Sequence, residues 1–234
     1  MLHRGDRSRR RRIVGSSERD SVVTSPCCAA DAQFGRPVAA GDLKRYRRRG
    51  PDPSTRLLLQ ELRPRIREGA SLLDVGGGVG VIGVELLARG LGAVTQVDAS
   101  SAYLDTARRH FAERNWQDRV ELVQGDFATV PLSRGPADLV TLDRVVCCYP
   151  DFEGILVRAA EHTRHALGFS YPRDRWYVRW VVGLGNLLRR VTGSTFRTFV
   201  HSVPAMTRVV ETAGLRHVAR HETMVWAVDI YERP

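Results

Sequence analysis

Beyond about residue 50, the apolar residues follow two alternating rhythms. Short runs, Leu72-Leu73-Asp74-Val75, Ala93 to Val97, Val120 to Val123, Asp138 to Leu142 and Ala166 to Ser170, read as buried strands. Stripes at helical spacing lie between them. Pro53 opens a helix carrying Leu58, Leu59, Leu62 and Ile66. An apolar helix follows from Val81 to Leu87, and Ser100 or Ser101 caps another with Tyr103, Leu104, Ala107 and Phe111 inward. Phe152, Ile155, Leu156 and Ala159 mark a helix from about Asp151 to His165, and Met206, Val209, Val210 and Ala213 mark one over Val203 to Ala213. Leu215 to Arg220 and Thr223 to Tyr231 close the chain as two strands with no helix between them. The alternation predicts an α/β fold: a doubly wound, mainly parallel seven-stranded sheet with an antiparallel C-terminal hairpin.

The organising stretch is Leu72-Leu73-Asp74-Val75-Gly76-Gly77-Gly78-Val79-Gly80, a strand running into a tight turn and a helix start. Glycine serves where the backbone takes positive φ or where a ligand approaches with no Cβ in the way. In doubly wound domains that turn is where nucleotide-like ligands bind. Gly78-Val79-Gly80-Val81-Ile82-Gly83 also satisfies the dinucleotide pattern G-x-G-x-x-G, a weak signal alone. Each of four strands ends in or is followed by an acid: Asp74, Asp98, Asp126 and Asp143. Asp98 lies 22 residues beyond Gly76, the spacing of a carboxylate that holds ribose hydroxyls.

Charge changes the picture less than its total suggests. The net charge is +10, but residues 1–50 hold 13 Lys+Arg against 5 Asp+Glu, so the other 184 residues carry only +2. Residues 1–35 read as an Arg-rich disordered tail, 36–69 as an N-terminal helical segment, and 70–234 as the ligand-binding domain. No apolar run reaches the roughly 18 residues of a bilayer span, and no apolar stretch follows the arginines as in a secretory signal, so a cytoplasmic location is expected. Cys27-Cys28 and Cys147-Cys148 are adjacent pairs without C-x-x-C spacing and read as reduced thiols; no metal site is assigned.

The acid-x-Gly-x-Gly-x-Gly arrangement led by Asp74, with the ordered acids and the closing hairpin, resembles class I S-adenosylmethionine-dependent methyltransferases. The resemblance implies their Rossmann-like methyltransferase fold, S-adenosyl-L-methionine as cofactor, and a set of donor-binding residues. Gly76, Gly78 and Gly80 would let the backbone approach the methionine part, Asp98 would hold the ribose, and Asp126 with Phe127 would meet the adenine. Asp143 and Arg144 would line the site beneath the sulfonium. Leu142 to Pro150, Gly168 to Arg173 and Phe199-Val200-His201 are similar to magnesium-protoporphyrin O-methyltransferases, although Cys148 stands where that family usually has His. The expected activity is methyl transfer to a small-molecule acceptor, with O-methylation favoured and a porphyrin-like carboxylate one acceptor that the resemblance implies beside an unidentified small molecule.

The end of the fourth strand lacks the Pro-Pro-aromatic motif of base-directed amino methyltransferases, and no aromatics interleave with basic residues near the glycine loop, so a nucleic-acid substrate is disfavoured. His201 and Tyr149 are the candidate catalytic residues if a hydroxyl acceptor needs a base, His201 because imidazole titrates near neutrality; each also suits a packing role. Tyr46 is a candidate to close over the donor. Arg173 to Arg190 carries Trp176, Trp180, Leu184 and Leu188 at steps of four, flanked by arginines. As a lid within an insertion spanning 173–200, it would set Trp176 and Trp180 against the acceptor; it also suits a membrane surface or ordinary packing. Two other functions stay open: an NAD-binding Rossmann oxidoreductase, and a non-catalytic donor-binding regulatory domain. The oligomeric state is not legible.

Overall fold

The computed structural model describes residues 26–234. Its sheet has seven strands in the order β3-β2-β1-β4-β5-β7-β6: β1 Ser71–Val75, β2 Ala93–Asp98, β3 Val120–Gln124, β4 Ala137–Leu142, β5 Thr163–Pro172, β6 Arg216–Glu222 and β7 Trp226–Glu232. The first five are mutually parallel, and β7 runs antiparallel between β5 and β6. Eight helices accompany it among the described residues: α1 Pro26–Gln33, α2 Arg36–Arg49, α3 Pro53–Leu62, α4 Val81–Leu87, α5 Ser101–Ala112, α6 Phe152–Glu161, α7 Trp176–Val191 and α8 Val203–Thr212. This is the doubly wound sheet with an antiparallel end that the sequence pattern predicts.

The unbroken apolar runs form strands buried on both faces. Alternate residues feed two cores. Leu72 and Leu139 join Leu58, Leu59 and Leu62 of α3, the apolar side of α4, and Phe111 of α5. Leu73, Val75 and Val140 face the other way, onto α6 and onto Met206 and Val210 of α8. Because the strand period is two, a one-residue register slip would exchange these cores, so the pairing Leu72↔Val94 and Leu72↔Leu139 is strongly specified.

Several boundaries differ from the sequence pattern: α3 ends at Leu62, short of Ile66, and β7 starts at Trp226 rather than Thr223. Helix α1 lies inside the stretch the sequence assigns to the tail; residues 1–25 lie outside the described set. The α6 helix ends at Glu161, four residues early, and β5 starts at Thr163. The physical reason is local: the Thr163 hydroxyl donates to the Ala159 carbonyl at 2.7 Å, and the His162 carbonyl accepts from Ala137 N–H at 2.8 Å. These bonds satisfy the helix end and start the β4–β5 pairing together.

One buried carboxylate locks the hairpin to the parallel sheet. Asp229 on β7 is 1% exposed and accepts from Tyr171 Oη of β5 at 2.9 Å. It also takes both arms of Arg220 of β6, Nε at 2.6 Å and Nη2 at 2.7 Å. Removing it leaves a guanidinium and a buried phenol unpaired. Asp229→Ala is predicted to destabilise by about 3–5 kcal/mol, read as a lower denaturant midpoint with unchanged slope. An equal midpoint would show that the bidentate pair holds nothing together.

Candidate active site

In an open sheet of this kind ligands bind outside the strand carboxyl ends where the order reverses, here between β1 and β4. A cavity of about 640 Å³ opens there, within the size range of small-molecule sites. Its floor is the turn after β1. Gly76 and Gly80 take φ of 63° and 80°, the left-handed region. A Cβ on Gly76 would lie 2.3 Å from Val145 Cγ2, and one on Gly80 would lie 2.8 Å from Phe111. The Gly78 backbone is held from both sides by β2: its N–H donates to Asp98 Oδ2 at 2.9 Å, and its carbonyl accepts from Gln96 Nε2 at 2.8 Å.

The predicted donor-site acids take different parts. Asp74 is 1% exposed and accepts from Thr141 Oγ1 at 2.7 Å through Oδ1. Its Oδ2 has no partner among the described residues, although the side chain borders the cavity. Burial raises its pKa to about 7, against a lowering by the Thr141 hydrogen bond and a further raising by Asp143 and Asp98. Asp98 also lines the cavity; its Oδ1 accepts from Ser100 N–H at 2.8 Å. Burial raises its pKa to about 6 despite two backbone hydrogen bonds. Each of its oxygens keeps a second lone pair for a ligand hydroxyl. Phe127 is buried and lines the cavity beside Gly125, with the Arg158 guanidinium 5.1 Å from its ring centroid.

Asp126 and Asp143 are occupied by the protein itself. Asp126 Oδ1 accepts from Tyr149 Oη at 2.7 Å and from Ala128 N–H at 2.9 Å, and Asp126 is not among the cavity-lining residues. Asp143 lines the cavity, but its Oδ1 accepts from Ser170 Oγ and its Oδ2 from Thr55 Oγ1, each at 2.5 Å. That pair ties α3 to the ends of β4 and β5. Arg144, at φ 62°, donates to Asp52 Oδ2 at 2.9 Å.

The remaining predicted residues divide similarly. Tyr149 lines the cavity. His201 does not: its Nε2 lies 3.2 Å from the Val146 carbonyl and its ring packs on Phe152 and Phe199, so it braces the turn after β4. Burial lowers its pKa, which keeps it neutral there. Tyr46 lines the cavity with its hydroxyl donated to Glu85 at 2.9 Å. Trp176 and Trp180 are each 75% exposed and do not line the cavity. Steps of four track one face of a helix, and in α7 that face points outward. The opposite face supplies Val182, Gly185 and Arg189 to the cavity wall, with Val181 at its edge.

The sequence reading missed the part played by the N-terminal helices. Ala30, Phe34, Asp42, Arg45, Asp52 and Thr55 all border the cavity. Phe34 stacks toward Tyr103 at 5.4 Å, and its carbonyl accepts from Ser100 Oγ at 2.7 Å. Tyr103 in turn donates to Asp42 at 2.6 Å. The weak apolar pattern before residue 36 offered no signal for this; Phe34 was the one aromatic residue there to notice.

Comparison with known proteins agrees with this geometry. Residues 72–166 match the family model described as a methyltransferase domain. The stretch from β1 into β5 is therefore similar to a methyltransferase domain. It is similar in structure to magnesium protoporphyrin IX methyltransferase from Synechocystis PCC 6803, solved with bound SAH and with bound SAM. The TM-scores are 0.64 and 0.66 at 16% and 14% identity, covering 87% and 91% of this chain and 98% and 99% of those. An O-methyltransferase family protein from Burkholderia thailandensis aligns with TM-score 0.60 and 20% identity over 86% of this chain and 63% of that one. At these identities the likeness establishes the fold. A ribosomal protein L11 methyltransferase from an Exiguobacterium species is 31% identical over 77 residues, 33% of this chain; that stretch spans a quarter of the relative's length.

The raised carboxyls set a pH dependence. A folded-state pKa above the unfolded value means the native protein holds a proton that the unfolded chain has lost. Stability is then greatest below the unfolded pKa near 4 and falls as pH rises towards 7 for Asp74 and towards 6 for Asp98. Asp74→Asn, which cannot ionise, is predicted to flatten the decline in Tm between about pH 5 and about pH 8 by roughly 3 °C or more. Parallel melting profiles for the two proteins would contradict the assignment.

Proposed function

We propose that the domain transfers a methyl group from S-adenosyl-L-methionine to a carboxylate oxygen of a small, flat, porphyrin-like acceptor. The donor half rests on the methyltransferase-domain match and on a cavity whose residues fit the molecule. The turn at Gly76 and Gly78 has no Cβ in the way, Asp98 is available to ribose hydroxyls, Phe127 offers an aromatic wall, and the unpartnered Asp74 Oδ2 is a buried acceptor beside the loop. When bound, the sulfonium supplies an electrophilic methyl group. The protein's task is then mainly alignment and exclusion of water.

A single observation carries the acceptor half. Arg189 lines the cavity, and its Nη1 lies 3.3 Å from the neutral Asn186 Oδ1 and 3.4 Å from Thr198 Oγ1. Its guanidinium lies 5.4 Å from the Phe196 ring centroid, and no carboxylate pairs with it among the described residues. Arg45 and Arg144, which also line it, are paired with Asp42 and Asp52 respectively. A cation without a counter-charge, beside Val182 and Phe196, favours an acceptor that is apolar in body and anionic at the reacting end. A carboxylate is already ionised at neutral pH and needs no general base. On this reading Tyr149, hydrogen-bonded to Asp126, positions the acceptor rather than removing a proton, and His201 acts only through the turn it braces.

The test is transfer from methyl-tritiated donor to magnesium protoporphyrin and other carboxylate acceptors. Label incorporated as alkali-labile methyl ester supports the proposal, and alkali-stable label or none contradicts it. Arg189→Met is predicted to raise the acceptor KM by roughly 10–100-fold, the worth of a charged hydrogen bond. The affinity for S-adenosylhomocysteine should stay within about twofold in that variant. An unchanged KM would remove Arg189 from acceptor recognition.

A further inference from the structure

Helix α7 turns an apolar face to solvent. Trp176, Trp180, Leu184, Leu187, Leu188 and Val191 are each more than half exposed, and Val178 is its one fully buried residue. At 100° per residue those six side chains fall within one arc of about 120°. Met224, in the turn between β6 and β7, is 79% exposed and adjoins the same end, where Tyr177 Oη donates to the Met224 carbonyl at 2.8 Å. Contiguous apolar surface on this scale marks a contact site.

Charge identifies what the contact is. No residue from Trp176 to Val191 is acidic. Arg175, Arg179 and Arg190 are exposed and lie along one flank of the apolar arc, and only Arg179 has an acid partner, the exposed Asp174 at 2.6 Å. A second copy docking through the same face would bring these arginines together with no carboxylate on the helix to meet them. A surface of anionic headgroups over acyl chains complements both features, tryptophans at the boundary and guanidinium groups among the phosphates. No helix among the described residues is long and apolar enough to cross a membrane, so such a contact would lie in the plane of the surface.

We infer that α7 docks this protein onto anionic lipid surfaces. Its inner face forms part of the cavity wall, so the docked helix stands between the lipid and the site. The inference is independent of which acceptor is methylated.

The experiment is co-sedimentation of the full chain with vesicles of phosphatidylcholine alone or mixed with phosphatidylglycerol. Binding to the mixed vesicles with blue-shifted tryptophan emission is expected. It should fall at least about tenfold in a W176S/W180S/L184S variant, given the apolar area removed. An R175Q/R179Q/R190Q variant, which leaves the apolar arc intact, should also bind the mixed vesicles more weakly. Affinity for S-adenosylhomocysteine, measured on every variant, verifies folding and separates this result from failure of the methyltransferase reading. Undiminished binding in the serine variant would assign the contact to the Arg-rich N-terminus and overturn the inference. So would a dimer, seen by sedimentation velocity, that this variant dissolves.

Discussion

The structure depends on the backbone of one residue held in place. The backbone at Gly78 is clamped from both sides by β2, through Asp98 and Gln96, while its neighbours Gly76 and Gly80 press against Val145 and Phe111 with no room for a side chain. These contacts join β1, β2, the turn after β4, and α5 at one point. The strand order brings those elements together, and the two cores pack the sheet against its helices on either side. A cavity floored by backbone is the consequence. The cost is two buried carboxyls, Asp74 and Asp98, whose raised pKa values record their removal from water.

Around this floor the cavity is divided by chemistry. The β1–β3 side presents glycine backbone, carboxyls and the Phe127 ring. The α7 side presents Val182, Phe196 and Arg189. Helices α1 to α3 close the remaining side, with Asp42 and Asp52 paired to Arg45 and Arg144 at the rim. One end therefore suits a polar, hydroxyl-bearing ligand and the other an apolar anion, the asymmetry that bringing two substrates together in line requires.

Much of this was legible in the sequence because its signals are local. The period of the apolar runs gives seven strands and the hairpin, and the glycines with Asp74 and Asp98 mark the turn, since their chemistry is fixed by the strand on which they sit. What was not legible depends on tertiary direction. Asp126 and Asp143 have the spacing of ligand-binding acids, yet Asp126 lies outside the cavity lining with Tyr149 on its Oδ1, and Asp143 at the cavity also holds Ser170 and Thr55, all remote in sequence. Trp176 and Trp180 form an apolar stripe, but a stripe does not say whether it faces a cavity or solvent; Gly185 and Arg189 on the opposite face decided that. Phe34 lies in a segment too polar to show a period, and its place over the site follows from its contacts with Ser100, Tyr103 and Phe196.

The central claim is that the glycine turn holds S-adenosylmethionine rather than a dinucleotide. Calorimetric titration of the protein with S-adenosylhomocysteine and, separately, with NADH tests it most directly. The account predicts binding of S-adenosylhomocysteine alone, weakened at least about tenfold in Asp98→Ala by loss of the hydrogen bonds that carboxylate accepts. Binding of NADH alone, or an affinity for S-adenosylhomocysteine that Asp98→Ala leaves intact, would contradict it.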